Sequence, residues 1–172
     1  MLPYFSEYYG NASTIYSLGA ESKKAMDHAR QTIADSLGAK PEEIYFTAGG
    51  SESDNWALKA TAEAYASKGK HIITTKIEHH AILHTCEYLE KRGFEITYLN
   101  VDRDGLISLD ELKAAIRPDT ILISVMFANN EIGTIEPIAE IGEIAKRYRR
   151  MHRFPFMWMR CILTCSVPAV IN

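Results

Sequence analysis

The seven residues Ile121 to Phe127 hold six apolar side chains and one serine, Ser124. No other feature restricts the folding of this chain so tightly. The run is far shorter than the roughly 20 apolar residues of a membrane helix. A strand with one wet face would alternate apolar and polar. A continuous, almost wholly apolar run instead reads as a strand covered on both faces, the hallmark of a parallel sheet flanked by helices.

The rest of the chain agrees. Met26, Ala29, Ile33 and Leu37 recur at helical steps across Ala20 to Leu37, and Gly38 follows as a stop. Ile44 to Thr47 reads as a short strand ending at Gly49-Gly50. Ser51 to Asp54 has the form of a capping box and opens a helix running towards Gly69. His71 to Thr75 is a strand candidate, Ala81 to Lys91 a helix closed by Gly93, and Phe94 to Val101 another strand. After a turn at Asp104-Gly105, a second capping box at Ser108 to Glu111 leads a helix that ends before Pro118. Pro137 opens the last helix, with Ile138, Ile141, Ala145 and Tyr148 on one stripe. Alternation of this kind predicts an α/β domain with a mainly parallel sheet and flanking helices.

Composition narrows the function classes. With 172 residues, 47% hydrophobic and 24% charged, the chain is long enough to bury a core and is neither disordered nor fibrous. A net charge of -3 argues against a nucleic-acid partner. No stretch predicts a membrane span. Met1 to Gly10 carries Glu7 and no basic residue, so no signal peptide is expected there. Three cysteines make a disulfide scaffold improbable and point to a reducing, cytoplasmic setting.

In parallel sheets, ligands bind beyond the carboxyl ends of the strands, so the strand-to-helix junctions are the places to look. The first holds Gly49-Gly50-Ser51. It could be a sharp turn, or a phosphate site built from close backbone and free helix-start amides. Neither GxGxxG nor a Walker loop is present. The second is Lys76-Ile77-Glu78-His79-His80. A histidine there either caps a solvated helix or stacks on a ring, shuttles a proton or binds metal; His80 and His84 have an acceptable metal spacing but no HExxH. The third is Ala128-Asn129-Asn130-Glu131-Ile132-Gly133, where paired asparagines suit a turn or an amide aimed at a ligand oxygen.

Taken together, Phe46 to Asn55, Lys76 to Ala81 and Asn129 to Gly133 closely resemble the cysteine desulfurases, pyridoxal-phosphate enzymes of the class V aminotransferase group. Gly10-Asn11-Ala12-Ser13 resembles that family's early loop, although Tyr16 stands where a histidine is usual. The similarity runs from about Pro3 to Tyr148. It implies the front part of a large domain of the aspartate-aminotransferase type (fold type I), with pyridoxal 5'-phosphate as cofactor. Gly50 and Ser51 then match the turn holding the cofactor phosphate, His79 the catalytic histidine that stacks on the pyridine ring, and Asn130 the amide on its phenolic oxygen. No metal is implied. The implied reaction takes sulfur from L-cysteine, leaving L-alanine, and passes it as a persulfide to acceptor or iron–sulfur scaffold proteins. The intact family forms homodimers. Selenocysteine lyases, kynureninases and other class V lyases share the phosphate turn and are the alternative, as is a non-catalytic remnant or binding module.

Two family features are missing from the sequence: a Ser-x-His-Lys segment with the Schiff-base lysine, and a late persulfide cysteine. Lys146 is the last lysine, Cys86 reads as packing, and Cys161 and Cys165 lie in an atypical tail. The resemblance also implies a first strand and an Asn-Ala-Ala-Thr-Thr-like loop before Met1, so the chain reads as truncated at both ends, and by itself it is expected not to turn over cysteine. The domain expectation is a partial cofactor-binding domain over 1–148 and an aberrant tail over 149–172. That tail holds no acidic residue after Tyr148 and reads Phe154-Pro155-Phe156-Met157-Trp158-Met159-Arg160. The family has a His-x-Asp-Ala segment there, whose aspartate partners the pyridinium nitrogen. Met and Trp have single codons, so residues 157–159 are ATG-TGG-ATG. One base back, these read Val then Asp, preceded by His or Tyr and followed by Ala if Arg160 is a CGN codon. A frameshift somewhere after Tyr148 explains the tail.

Overall fold

A computed structural model of the chain describes residues 2–152, 157–161 and 169–171. These fall into two compact units, 1–46 and 47–172.

The first unit holds α1 (Pro3–Ser6), α2 (Ser17–Leu37) and a 3-10 turn at Pro41–Glu43. The helix predicted from Ala20 begins slightly earlier and stops where expected. Gly38 adopts φ 65° and ψ 28°, the left-handed conformation that a side chain would strain, and its amide caps Ala34 and Asp35. The strand predicted over Ile44 to Thr47 does not form. β-propensity reflects packing beside another strand, and none of the described strands pairs with this segment. Local bonds take its place: the Ile44 amide donates to Pro41 O at 3.1 Å, and the Arg30 guanidinium donates to the Ile44 carbonyl.

The second unit is built on α3 (Gly50–Tyr65), β1 (His71–Thr75), α4 (His80–Glu90), β2 (Glu95–Leu99), α5 (Leu109–Ala115), β3 (Thr120–Met126), α6 (Ile138–His152), β4 (Met157–Cys161) and β5 (Ala169–Ile171). Strand order is β2-β1-β3-β4-β5. All neighbours are parallel except β4 and β5. Every residue of β1 and β3 is buried, as the apolar run required.

Alternation along these two strands divides the core. On one face Ile72 and Leu122 meet Leu58 and Ala62 of α3 and Ile82, Cys86 and Leu89 of α4. On the other, Ile73, Ile123 and Val125 meet Leu112 of α5 and Ile141 and Ala145 of α6. Each large aliphatic side chain removed from water in this way contributes about 1.5–3 kcal/mol.

At the amino end of the sheet, His71 is wholly buried. Its Nδ1 bonds Thr120 Oγ1 at 2.6 Å and its Nε2 bonds Thr97 Oγ1 at 2.8 Å, tying three strands together. Burial, and then the nearby Arg117, hold its pKa below the usual value. The opposite, carboxyl end is where the loops open.

The tail expectation falls partly on residues 153–156, 162–168 and 172, which lie outside the described residues. Main-chain pairing aligns Leu122 with Met157 and Met126 with Cys161. Among the described residues no helix is long and apolar enough to cross a membrane.

Candidate active site

Two of the three loops leave the same edge of the sheet, and the third, at the start of α3, meets them there. β1 and β3 are parallel neighbours, so Lys76–His79 and Phe127–Gly133 emerge side by side. α3 arrives there by geometry. It packs flat on the sheet through Leu58 and Ala62, and its last residue lies only six positions before the amino end of β1. A 16-residue helix spans about 24 Å, so its start reaches the carboxyl edge. Asp54, in its second turn, is close enough to Glu78 to act on its ionisation.

Each loop contains polar residues turned inward and others turned outward. At the start of α3, Ser53 and Asp54 are buried, whereas Gly50 and Ser51 are exposed. The Ser53 hydroxyl bonds Thr47 Oγ1 at 2.6 Å, and Glu52 Oε2 accepts from the Ala48 amide at 2.5 Å. The predicted capping box therefore shifts: Gly49 is the N-cap, without a side-chain cap, and the acidic residue that reaches back is Glu52. Among the described residues, no protein acceptor meets the amides of Gly50, Ser51 and Glu52. Gly49 is extended, at φ 170° and ψ 176°, neither it nor Gly50 lies in the left-handed region, and a Cβ on either would meet nothing within 4 Å. The turn does not need glycine for its own backbone. What the glycines leave is open space in front of free helix-start amides, where the backbone dipoles favour an anion.

After β1, the alternation is Glu78 inward and His79 outward. His79 is the N-cap of α4: its Nδ1 accepts from the Ala81 amide at 3.1 Å, which leaves the proton on Nε2. The cap orients an exposed ring over the loop edge. Glu78 Oε1 accepts from the Met126 amide at 2.7 Å and the Thr75 hydroxyl at 3.3 Å. Burial first, then the charges of Asp54 and Glu136, push its pKa up to about 8 against the two hydrogen bonds.

After β3, Asn129 is inward and fully used. Its Nδ2 donates to the Ile77 carbonyl at 3.0 Å, and its Oδ1 accepts from the Glu131 and Ile132 amides at 2.8 and 3.0 Å. Asn130 is exposed, with no side-chain hydrogen bond among the described residues. The two readings of the asparagine pair thus divide between its members: Asn129 builds the turn, and Asn130 is free to meet a ligand.

Sequence reasoning selected the outward residues Gly50, Ser51, His79 and Asn130 and missed the inward ones, above all Glu78 and Asn129. Their signal is a polar residue immediately before a candidate ligand residue at the end of a buried strand, where an unpaired polar group would be costly. His80 and His84 stack at 5.3 Å, but no metal-holding group of three occurs among the described residues. Cys86 is wholly buried in α4, and burial raises its thiol pKa to about 12, so it is packing.

The family model for aminotransferase class V matches residues 1–152. The chain belongs to this family. A cysteine desulfurase, IscS, of Methanosarcina thermophila is 66% identical over 146 residues, covering 85% of this chain and 36% of that protein. Among solved structures, a NifS-like protein superposes with TM-score 0.85 at 39% identity, over 90% of this chain and 42% of the other. SspA, solved in complex with cysteine, gives TM-score 0.81 at 42% identity, over 90% and 43%. The chain spans well under half the length of each of these relatives. The family is one of pyridoxal-phosphate-dependent enzymes, and the fold described above is a partial domain of that type.

Proposed function

We propose that this chain supplies the phosphate- and ring-holding part of a pyridoxal-phosphate-dependent cysteine desulfurase. The whole enzyme would remove sulfur from L-cysteine, leave L-alanine, and hand the sulfur to acceptor or iron–sulfur scaffold proteins in the cytoplasm, working as a homodimer. One observation carries the reading. Ser51, His79 and Asn130 are exposed, each beside or near a buried polar residue of its own loop (Ser53, Glu78 and Asn129), in a chain 66% identical to a named cysteine desulfurase.

The residues present fit the cofactor. The unpartnered amides of Gly50, Ser51 and Glu52, with the Ser51 hydroxyl, would hold the phosphate. The His79 imidazole would cover one face of the pyridine ring, and its Nε2 would be placed to donate. The Asn130 amide would hydrogen-bond the phenolic oxygen. When bound, the cofactor supplies an electron sink for cleavage next to an amino acid's α-carbon.

The test uses the purified chain. Titration with pyridoxal 5'-phosphate, followed by its absorbance and fluorescence, is expected to saturate. Because hydrogen bonds to charged groups contribute about 1.5–3 kcal/mol, Ser51→Ala and Asn130→Ala should each weaken binding roughly tenfold or more. Binding that never saturates, or that ignores both substitutions, removes the reading.

We also infer that the segment from somewhere after Tyr148 is read one base out of frame, in the gene or in its sequencing, so that 149–172 is an aberrant tail on a domain covering 1–148. The single codons of Met and Trp at 157–159 support this, as does the parallel seat of β4 beside β3, where a following strand belongs. Sequencing the DNA across codons 146 to 165 is expected to give His-Val-Asp-Ala one base over. Codons that cannot encode that aspartate end the inference.

A further inference from the structure

We propose that Glu78 is a positioning residue: its buried carboxyl locks the loop carrying His79 to the end of β3 that carries Asn130, and so fixes the imidazole for the cofactor ring. This rests on the reading that His79 faces that ring.

The two loops are sewn together in both directions. Glu78 reaches from the end of β1 to the Met126 amide on β3, and Asn129 reaches from β3 back to the Ile77 carbonyl. Ile77, Glu78 and His79 are consecutive, so the backbone on either side of the Glu78 side chain is held within one residue of the imidazole. Thr75 completes the clamp from β1.

The surroundings of Glu78 favour a neutral carboxyl. Facing it are Asp54 from α3, Glu136 from the segment before α6, and the Cys86 thiol from α4. None of these is a cation. Glu78 is 6% exposed, Asp54 5% and Glu136 2%, so a charge on one is poorly screened from the others. A carboxyl with pKa near 8 is mostly protonated at neutral pH. It then accepts from Met126 through one oxygen without placing another negative charge among acids. As pH rises through about 8 the charge appears; Asp54 and Glu136 repel it while the Met126 and Thr75 donors favour it, so the surroundings of the clamp change across that window. Cys86 titrates well above that window.

The test is NMR on the isotope-labelled chain, combined with pyridoxal 5'-phosphate titration. The Met126 amide and His79 ring signals should share an inflection at about pH 8. In Glu78→Gln, which offers a neutral acceptor of the same shape, the neutral-pH ring signature should persist and the inflection vanish. Glu78→Ala should shift His79 away from its Nε2-protonated form and weaken cofactor binding about tenfold, an effect absent when His79→Ala is already present. A wild-type chain without the inflection, an inflection that survives in Glu78→Gln, or an undiminished loss in the His79→Ala background overturns the proposal. If Glu78→Ala does not fold, the comparison of wild type with Glu78→Gln decides. If the wild-type chain binds no pyridoxal 5'-phosphate, the functional reading fails, and the ring and amide signals still decide the clamp.

Discussion

Asn129→Ala is expected to lower the unfolding free energy by about 2–4 kcal/mol, whereas Asn130→Ala, one residue away, stays within about 0.5 kcal/mol. The contrast follows from what each amide touches. Asn129 is 7% exposed and satisfies three backbone groups: the Ile77 carbonyl and the Glu131 and Ile132 amides. An unpaired buried group costs about 1–3 kcal/mol. The total is held below the simple sum because Glu131 and Ile132 lie at the surface, where water replaces part of the loss. Asn130 has no comparable protein bond to lose. Asn129→Asp should fall between, since it keeps the acceptor for the two amides and loses the donor to Ile77. Urea unfolding with an unchanged slope measures each variant. Equal effects at the two asparagines would show that the inward and outward roles are wrongly divided.

Leu58→Ala should be costlier, at about 2–5 kcal/mol. Leu58 is wholly buried where α3 meets the sheet, in the cluster that includes Ile72, Ile82, Leu89 and Ile121. Neighbouring Ala62 is already small and cannot fill the gap. In a domain whose net stability is on the order of 5–15 kcal/mol, that loss is a large fraction. Leu58→Met, which conserves volume, should cost less than about 1.5 kcal/mol. The same leucine presses α3 onto the strands, so the truncation should also weaken pyridoxal 5'-phosphate binding through the Gly50–Ser51 turn. A loss below 1 kcal/mol in thermal or urea unfolding would mean that α3 is not docked as described.

Local signals were legible where local physics decides the outcome. The left-handed Gly38 ends α2 because a helix stop depends on one residue's backbone freedom. Ser108 caps α5 as its spacing suggested, accepting from the Glu111 amide at 3.3 Å. Elsewhere a partner from another part of the chain overrode the pattern. Glu111 should have reached back to Ser108; instead it accepts from Asn100, both backbone and side chain. Ile44 to Thr47 has strand composition and no described neighbour with which to make a ladder. A short strand cannot stand alone, because main-chain groups need partners as well as suitable side chains.

The amino-acid order by itself determined that β3 would be buried on both faces, that parallel strands would alternate with helices, and that ligand chemistry would gather at the strand ends. Those outcomes depend on periodicity and on residues close in sequence. Which polar residue in each loop turns inward was decided only by tertiary structure. Glu78 and His79 are adjacent, as are Asn129 and Asn130, and both members of each pair are polar, so residue type alone does not say which turns inward. The difference arises because β1 and β3 lie side by side, placing the Met126 amide and the Ile77 carbonyl within reach of one member of each pair and leaving the other exposed.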